Sequence, residues 1–126
     1  MFGGNEAFSG FAVDDVATAE SFYREVLGLA VDRQDGMLTL HVGGGTEVLV
    51  YPKPDHRPAT FTILNFPVAD IGQAVEKLVE RGVSLIRYDH FPHDELGIVR
   101  PPQGEGPLIA WFADPAGNVL AVFQDQ

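Results

Sequence analysis

The sequence predicts an α+β fold, in which two βαβββ modules form a curved mixed sheet with the helices on its outer face. Three observations predict it. Two helix-like segments, each opened by an aspartate and closed by a glycine, start 55 residues apart, at Asp15 and Asp70. Each has one strand-like segment before it and three after it. Between the two sets lies Pro52-Lys53-Pro54-Asp55-His56-Arg57-Pro58, whose three prolines argue against a continuing central strand. The reading is one domain over residues 1–126, with modules at 7–52 and 60–124 and a proline-rich linker at 53–59.

The first strand is expected at 7–13. In the first helix Asp15 can cap the free amides, and Val16, Ala19, Phe22, Tyr23, Val26 and Leu27 recur at helical spacing up to Gly28. Strands follow at 29–33, 37–42 and 47–51. In the second module a strand at 60–68 precedes a helix capped by Asp70, with Gln73 placed for a capping box. Its apolar face is Ile71, Ala74, Val75, Leu78 and Val79, Gly72 weakens it, and Gly82 ends it. Strands at 83–88, 108–113 and 119–124 complete the repeat. Gly43-Gly44-Gly45 and Asp114-Pro115-Ala116-Gly117-Asn118 read as turns joining neighbouring strands.

The 126 residues, 45% hydrophobic and 21% charged, allow a real core without crosslinks. The chain has no cysteine, which excludes disulfides, thiolate metal sites and a cysteine nucleophile, and fits a reducing compartment. The first residues do not read as a signal peptide and no apolar run approaches the ~20 residues of a membrane helix, so a cytoplasmic location away from membranes is expected. Eighteen acidic against eight basic residues give a net charge of −10. This charge keeps the surface solvated and would attract a cationic ligand. The basic residues are scattered, so nucleic acid is not an expected partner.

Two motifs carry a resemblance. Phe22-Tyr23-Arg24-Glu25-Val26-Leu27-Gly28-Leu29 is similar to the "FY…LG" helix end of the vicinal oxygen chelate (VOC) superfamily, and Asp114-Pro115-Ala116-Gly117-Asn118 to its "DP.GN" hairpin. With the doubled βαβββ order, the resemblance spans nearly the whole chain. It implies the glyoxalase/bleomycin-resistance fold shared by glyoxalase I, extradiol dioxygenases, fosfomycin-resistance enzymes and bleomycin-resistance proteins. Both motifs are structural, an aromatic core with a helix stop and a tight turn, so they specify the fold and leave the reaction open.

The resemblance also implies one divalent metal held by four inward His, Glu or Gln side chains, from the first and last strand of each module. The favoured register puts Phe8, Leu49, Ile63 and Ala121 there, and the register one residue on puts Ser9, Val50, Thr62 and Val122. Neither set contains an imidazole or carboxylate, so no metal and no cofactor are expected, and the family's metal-dependent activities are put in doubt.

The expected inner face comprises Phe8, Leu49, Tyr51, Phe61, Ile63, Asn65, Ala121 and Phe123, with Trp111 on the strand before the last hairpin and His90 on the loop at 89–95. A largely apolar surface with a few polar groups suits a small-molecule ligand, and equally suits an interface. His41 and His56 read as surface or internally satisfied histidines. Gly43-Gly44-Gly45 has no helix after it and is not read as an anion site. Three functions compete. The preferred one is a protein that binds a small molecule without the family metal, resembling the bleomycin-resistance branch. The second is a glyoxalase- or dioxygenase-type lyase, isomerase or oxygenase, either metal-independent or with a site relocated to His90, His93, Asp94 and Glu95. The third is a protein-interaction domain. A homodimer is the expected assembly, following the habit of two-module chains of this fold.

Overall fold

The computed structural model describes residues 1–126 and divides into two compact units, residues 1–57 and 58–126. The first contains β1 (Ser9–Val13), α1 (Val16–Ser21) continued by a π-helical turn (Phe22–Val26), β2 (Ala30–Gln34), β3 (Met37–His41) and β4 (Glu47–Pro52). The second contains β5 (Thr62–Pro67), α2 (Ile71–Glu80), β6 (Leu85–Ile86), β7 (Leu108–Ala113) and β8 (Val119–Gln124). Each unit forms one four-stranded mixed sheet. The orders are β1-β4-β3-β2 and β5-β8-β7-β6, so the first and last strands of each module pair in parallel and the rest are antiparallel.

Both helices begin as their sequences dictate. Asp15 and Asp70 hold extended backbone angles, and their carboxylates accept the N–H groups of Thr18 and Gln73, each at 3.0 Å. In the first unit, Val16, Ala19, Phe22 and Tyr23 bury against Phe11 and Val13 of β1, Leu38 and Leu40 of β3, and Val48 and Val50 of β4. In the second, Ile71, Val75 and Leu78 cover Ala110 and Phe112 of β7 and Leu120 and Val122 of β8.

Three details depart from the sequence expectation. The first helix does not run as a regular α-helix to Leu27, because the N–H of Leu27 bonds to the carbonyl of Phe22, five residues back, at 3.1 Å. This wider turn carries two adjacent large aromatics, both buried, with ring centroids 5.1 Å apart in a T-shaped contact. The strand expected over 83–88 shrinks to Leu85–Ile86, because Arg87 and Tyr88 are drawn into the loop that follows while Val99 takes the place beside Ile109 of β7. Alternation through 61–65 is interrupted by a bulge: Thr62 pairs with Val119 and Leu64 with Leu120, leaving Ile63 as the extra residue. No helix is long and apolar enough to cross a membrane.

Candidate functional site

In the first unit the sheet face opposite α1 is set by pairing. Leu49 lies between Gly10 and Thr39, and Tyr51 opposite Ala12, while their neighbours Val48 and Val50 sit in the helix-side core. A Cβ added to Gly10 would come within 3.3 Å of the Leu49 carbonyl oxygen, so glycine lets the strands pack closely there. His41 shares this face, and its Nε2 meets a carboxylate oxygen of Asp32 at 2.7 Å, both side chains being well exposed. Phe8 immediately precedes β1 and is 69% exposed.

In the second unit Gln124 fixes the faces of β8. Its Oε1 accepts the N–H of Ile71 at the start of α2, at 2.9 Å. Leu120 and Val122 therefore lie on the helix side, and Ala121 and Phe123 on the other. Asn65 and Trp111 both pair with Ala121, and Ile109 with Phe123, so these residues share the face opposite α2. Thr62 joins them, because Trp111 Nε1–H donates to its Oγ1 at 3.2 Å. Phe61, just before β5, is 69% exposed.

An aromatic strap from residues 88–93 lies against Trp111. Phe91 stacks on the indole at 5.4 Å between centroids with planes 24° apart. Tyr88 meets it edge-on at 5.0 Å, His93 lies at 6.1 Å, and His90 packs on Phe91 at 4.4 Å. The result is a half-buried indole with its N–H satisfied and other rings around it. Such a surface can bind a flat or cationic group through π-stacking and cation–π attraction.

The strap's base is tied down by the residues that the relocated-site reading invoked. Tyr88 N–H donates to His93 Nε2 at 2.9 Å, so the neutral ring carries its proton on Nδ1, which donates to the Gly97 carbonyl at 2.9 Å. Both imidazole nitrogens are thus engaged. Asp94 Oδ1 accepts the N–H groups of Leu96 and Ile98 at 2.9 and 2.8 Å, and Oδ2 accepts Arg100 Nε at 2.7 Å. Burial pushes the Asp94 pKa up, but Arg100 and the two backbone N–H groups outweigh it, and the carboxyl lies below its usual range. Arg87 donates to the carbonyls of Asp94 and Glu95 at 2.9 and 2.8 Å.

The family's metal does not fit the residues present. The positions implied for ligands carry Phe8 and Leu49 in the first unit and Ile63 and Ala121 in the second, all without a donor atom. The neighbouring register adds only the hydroxyls of Ser9 and Thr62 to Val50 and Val122. No three His, Asp or Glu side chains are grouped so as to hold a metal ion.

The structure thus gathers Asn65, Trp111, Ala121, Phe123 and, through Phe91, His90 in one unit, and Leu49 with Tyr51 in the other. Thr62, Tyr88, Phe91 and His93 complete the aromatic site; the sequence names Thr62 and His93 only as candidate metal positions, and Tyr88 and Phe91 not as site residues. The one sequence signal for them is the density of rings in Tyr88-Asp89-His90-Phe91-Pro92-His93, in a chain with a single tryptophan.

Doubled βαβββ order, parallel closure of each sheet and the Asp114–Asn118 turn define a class, and the comparisons agree with it. The chain belongs to the Glyoxalase/Bleomycin resistance protein/Dioxygenase superfamily, whose sequence profile matches residues 8–122. No curated protein matches the chain in sequence. Among solved structures, it is similar to TnmS3, an antibiotic binding protein from Streptomyces sp. CB03234, at 21% identity over 98% of each chain with a TM-score of 0.68. The fosfomycin resistance protein FosX from Listeria monocytogenes aligns at 13% identity over 98% of this chain and 94% of its own, TM-score 0.74. A superfamily member from Sphaerobacter thermophilus DSM 20745 aligns at 22% identity over 95% and 98%, TM-score 0.69. At these identities the likeness is one of fold.

Proposed function

We propose that this protein binds a flat, cationic aromatic small molecule against Trp111 and sequesters it, without the superfamily's metal. The observation that carries this reading is the half-buried Trp111 indole, held by Thr62 and surrounded by Tyr88, Phe91 and His93. The net charge of −10 favours a cation in solution. Antibiotic binding by a protein of the same fold is consistent with it. The setting of the proposal is a cytoplasmic homodimer. Phe8 and Phe61, each 69% exposed ahead of the first strand of its module, are the apolar groups that such an assembly would cover.

The test is a titration with planar cationic aromatics, proflavine first, read by quenching of the only tryptophan. Saturable binding that Trp111→Leu abolishes, measured in wild type and variant by proflavine's own emission, supports the reading. Absence of saturable binding across the panel overturns it. Untagged protein is expected to carry no stoichiometric Zn, Ni, Mn or Fe and to take up none on titration, and tight one-to-one metal would overturn the metal-free part.

A further inference from the structure

We infer that Phe91 is a built-in competitor: it occupies the indole face that a flat ligand would use, and the ligand binds by displacing it. The inference rests on the Trp111 reading above and adds how that site is controlled. A planar ligand between two parallel rings needs about 7 Å between them, twice a stacking separation of about 3.5 Å. The Phe91 and Trp111 centroids are 5.4 Å apart with planes 24° from parallel, so the ring leaves no room for an intercalated guest.

The strap is built so that its tip moves and its base stays. The base is fixed by Arg87 on the Asp94 and Glu95 carbonyls, by Asp94 on Leu96, Ile98 and Arg100, and by the bridges joining Val99 to His93 and Ile109. The tip has one backbone hydrogen bond, from Phe91 N–H to the Tyr88 carbonyl at 3.1 Å, and is otherwise held by ring contacts. Phe91 is 40% exposed, so swinging it away uncovers little core. A partly exposed aromatic pair is a weak contact that a larger ring system of better geometry replaces. The strap therefore selects for ligands whose stacking on indole exceeds that of a phenyl ring, such as fused tricyclic cations, and against monocyclic ones.

The experiment compares wild type, Phe91→Ala and Phe91→Leu in two measurements, acrylamide quenching of Trp111 without ligand and proflavine titration. Phe91→Leu keeps apolar bulk without a stacking ring and guards against misfolding of the alanine variant. Faster acrylamide quenching in both variants, with proflavine binding about two- to tenfold tighter than wild type, is the expected result. Unchanged quenching, or equal or weaker proflavine affinity in the variants, overturns the competitor role while the Trp111 site stands. Proflavine binding to none of the three proteins overturns the site itself and the competitor role with it.

Discussion

Asn118 Nδ2 donates to Asp114 Oδ2 at 3.0 Å between two buried side chains, while Asp114 Oδ1 accepts the N–H groups of Ala116 and Asn118, both at 2.9 Å. One carboxylate thus organises the hairpin that sets the β7–β8 register, and with it the pairing of Trp111 with Ala121. Asp114→Ala leaves several buried donors unmet and is expected to cost about 2–4 kcal/mol. Asp114→Asn, which keeps one acceptor oxygen, should cost less. Urea denaturation of the two variants checks the order, and equal losses would show that the network is not the source.

Gly117 in the same turn has φ of +85°, and a Cβ there would lie 3.1 Å from Pro58 Cγ. Gly117→Ala therefore meets backbone strain and a crowded neighbour together and is expected to destabilise by about 1–3 kcal/mol. The control is Gly82→Ala, where φ is also +85° but nothing lies within 4 Å of the new methyl. A smaller midpoint shift at 82 than at 117 isolates the contact with Pro58.

Asp94 links the strap to pH. Its carboxyl is held below the usual range despite burial, so its stabilisation is present above the unfolded value of about 3.9 and is lost as pH falls through that value toward the lower folded one. Asp94→Asn is expected to be less stable than wild type near neutral pH and to converge with it as the folded-state carboxyl protonates in acid. Glu20, lowered chiefly by its hydrogen bond from Arg24, and Asp55, lowered chiefly by its bond from Lys53, are present in both proteins and also protonate in acid. The readout is therefore the difference between the two denaturation series across pH, and a gap that does not narrow as pH falls below about 3.9 would assign the loss to neutral contacts.

The regular parts of this fold were legible because their causes are local. Alternation and turn residues place β7 and β8 at 108–113 and 119–124, and Asp15 and Asp70 mark both helix starts. Asp35-Gly36 carries an equally local signal: with φ of 54° and 76° between the paired Gln34 and Met37, it is a two-residue hairpin turn. The bulge at Ile63 and the π-helical turn over Phe22–Val26 have no turn residue, glycine or proline to mark them. The aromatic site was legible only in pieces. Trp111 and Thr62 are 49 residues apart, and nothing in their spacing says that an indole N–H will find that hydroxyl.

That hydrogen bond is itself testable. Thr62→Val keeps the side chain's shape and removes the acceptor of Trp111 Nε1–H at 3.2 Å. A loss of about 1 kcal/mol is expected, with a shift in Trp111 emission because the indole exchanges a fixed partner for water. Thr62→Ser, which keeps the hydroxyl, should restore the emission. Identical spectra for wild type and Thr62→Val would remove Thr62 from the site.

Phe8 and Phe61 separate assembly from folding. Both are 69% exposed, so replacing either with serine removes little buried area in its own unit and should change the stability of an isolated chain by less than about 0.5 kcal/mol. In a homodimer that covers them, each substitution loses the burial of a large aromatic surface, worth about 25 cal/mol per Å². Sedimentation equilibrium at micromolar concentration is then expected to show a dimer for wild type and weaker self-association for Phe8→Ser and Phe61→Ser. A monomeric wild type would leave these rings as solvent-exposed groups without a partner copy. A dimer unaffected by either substitution would place its contact surface elsewhere on the chain.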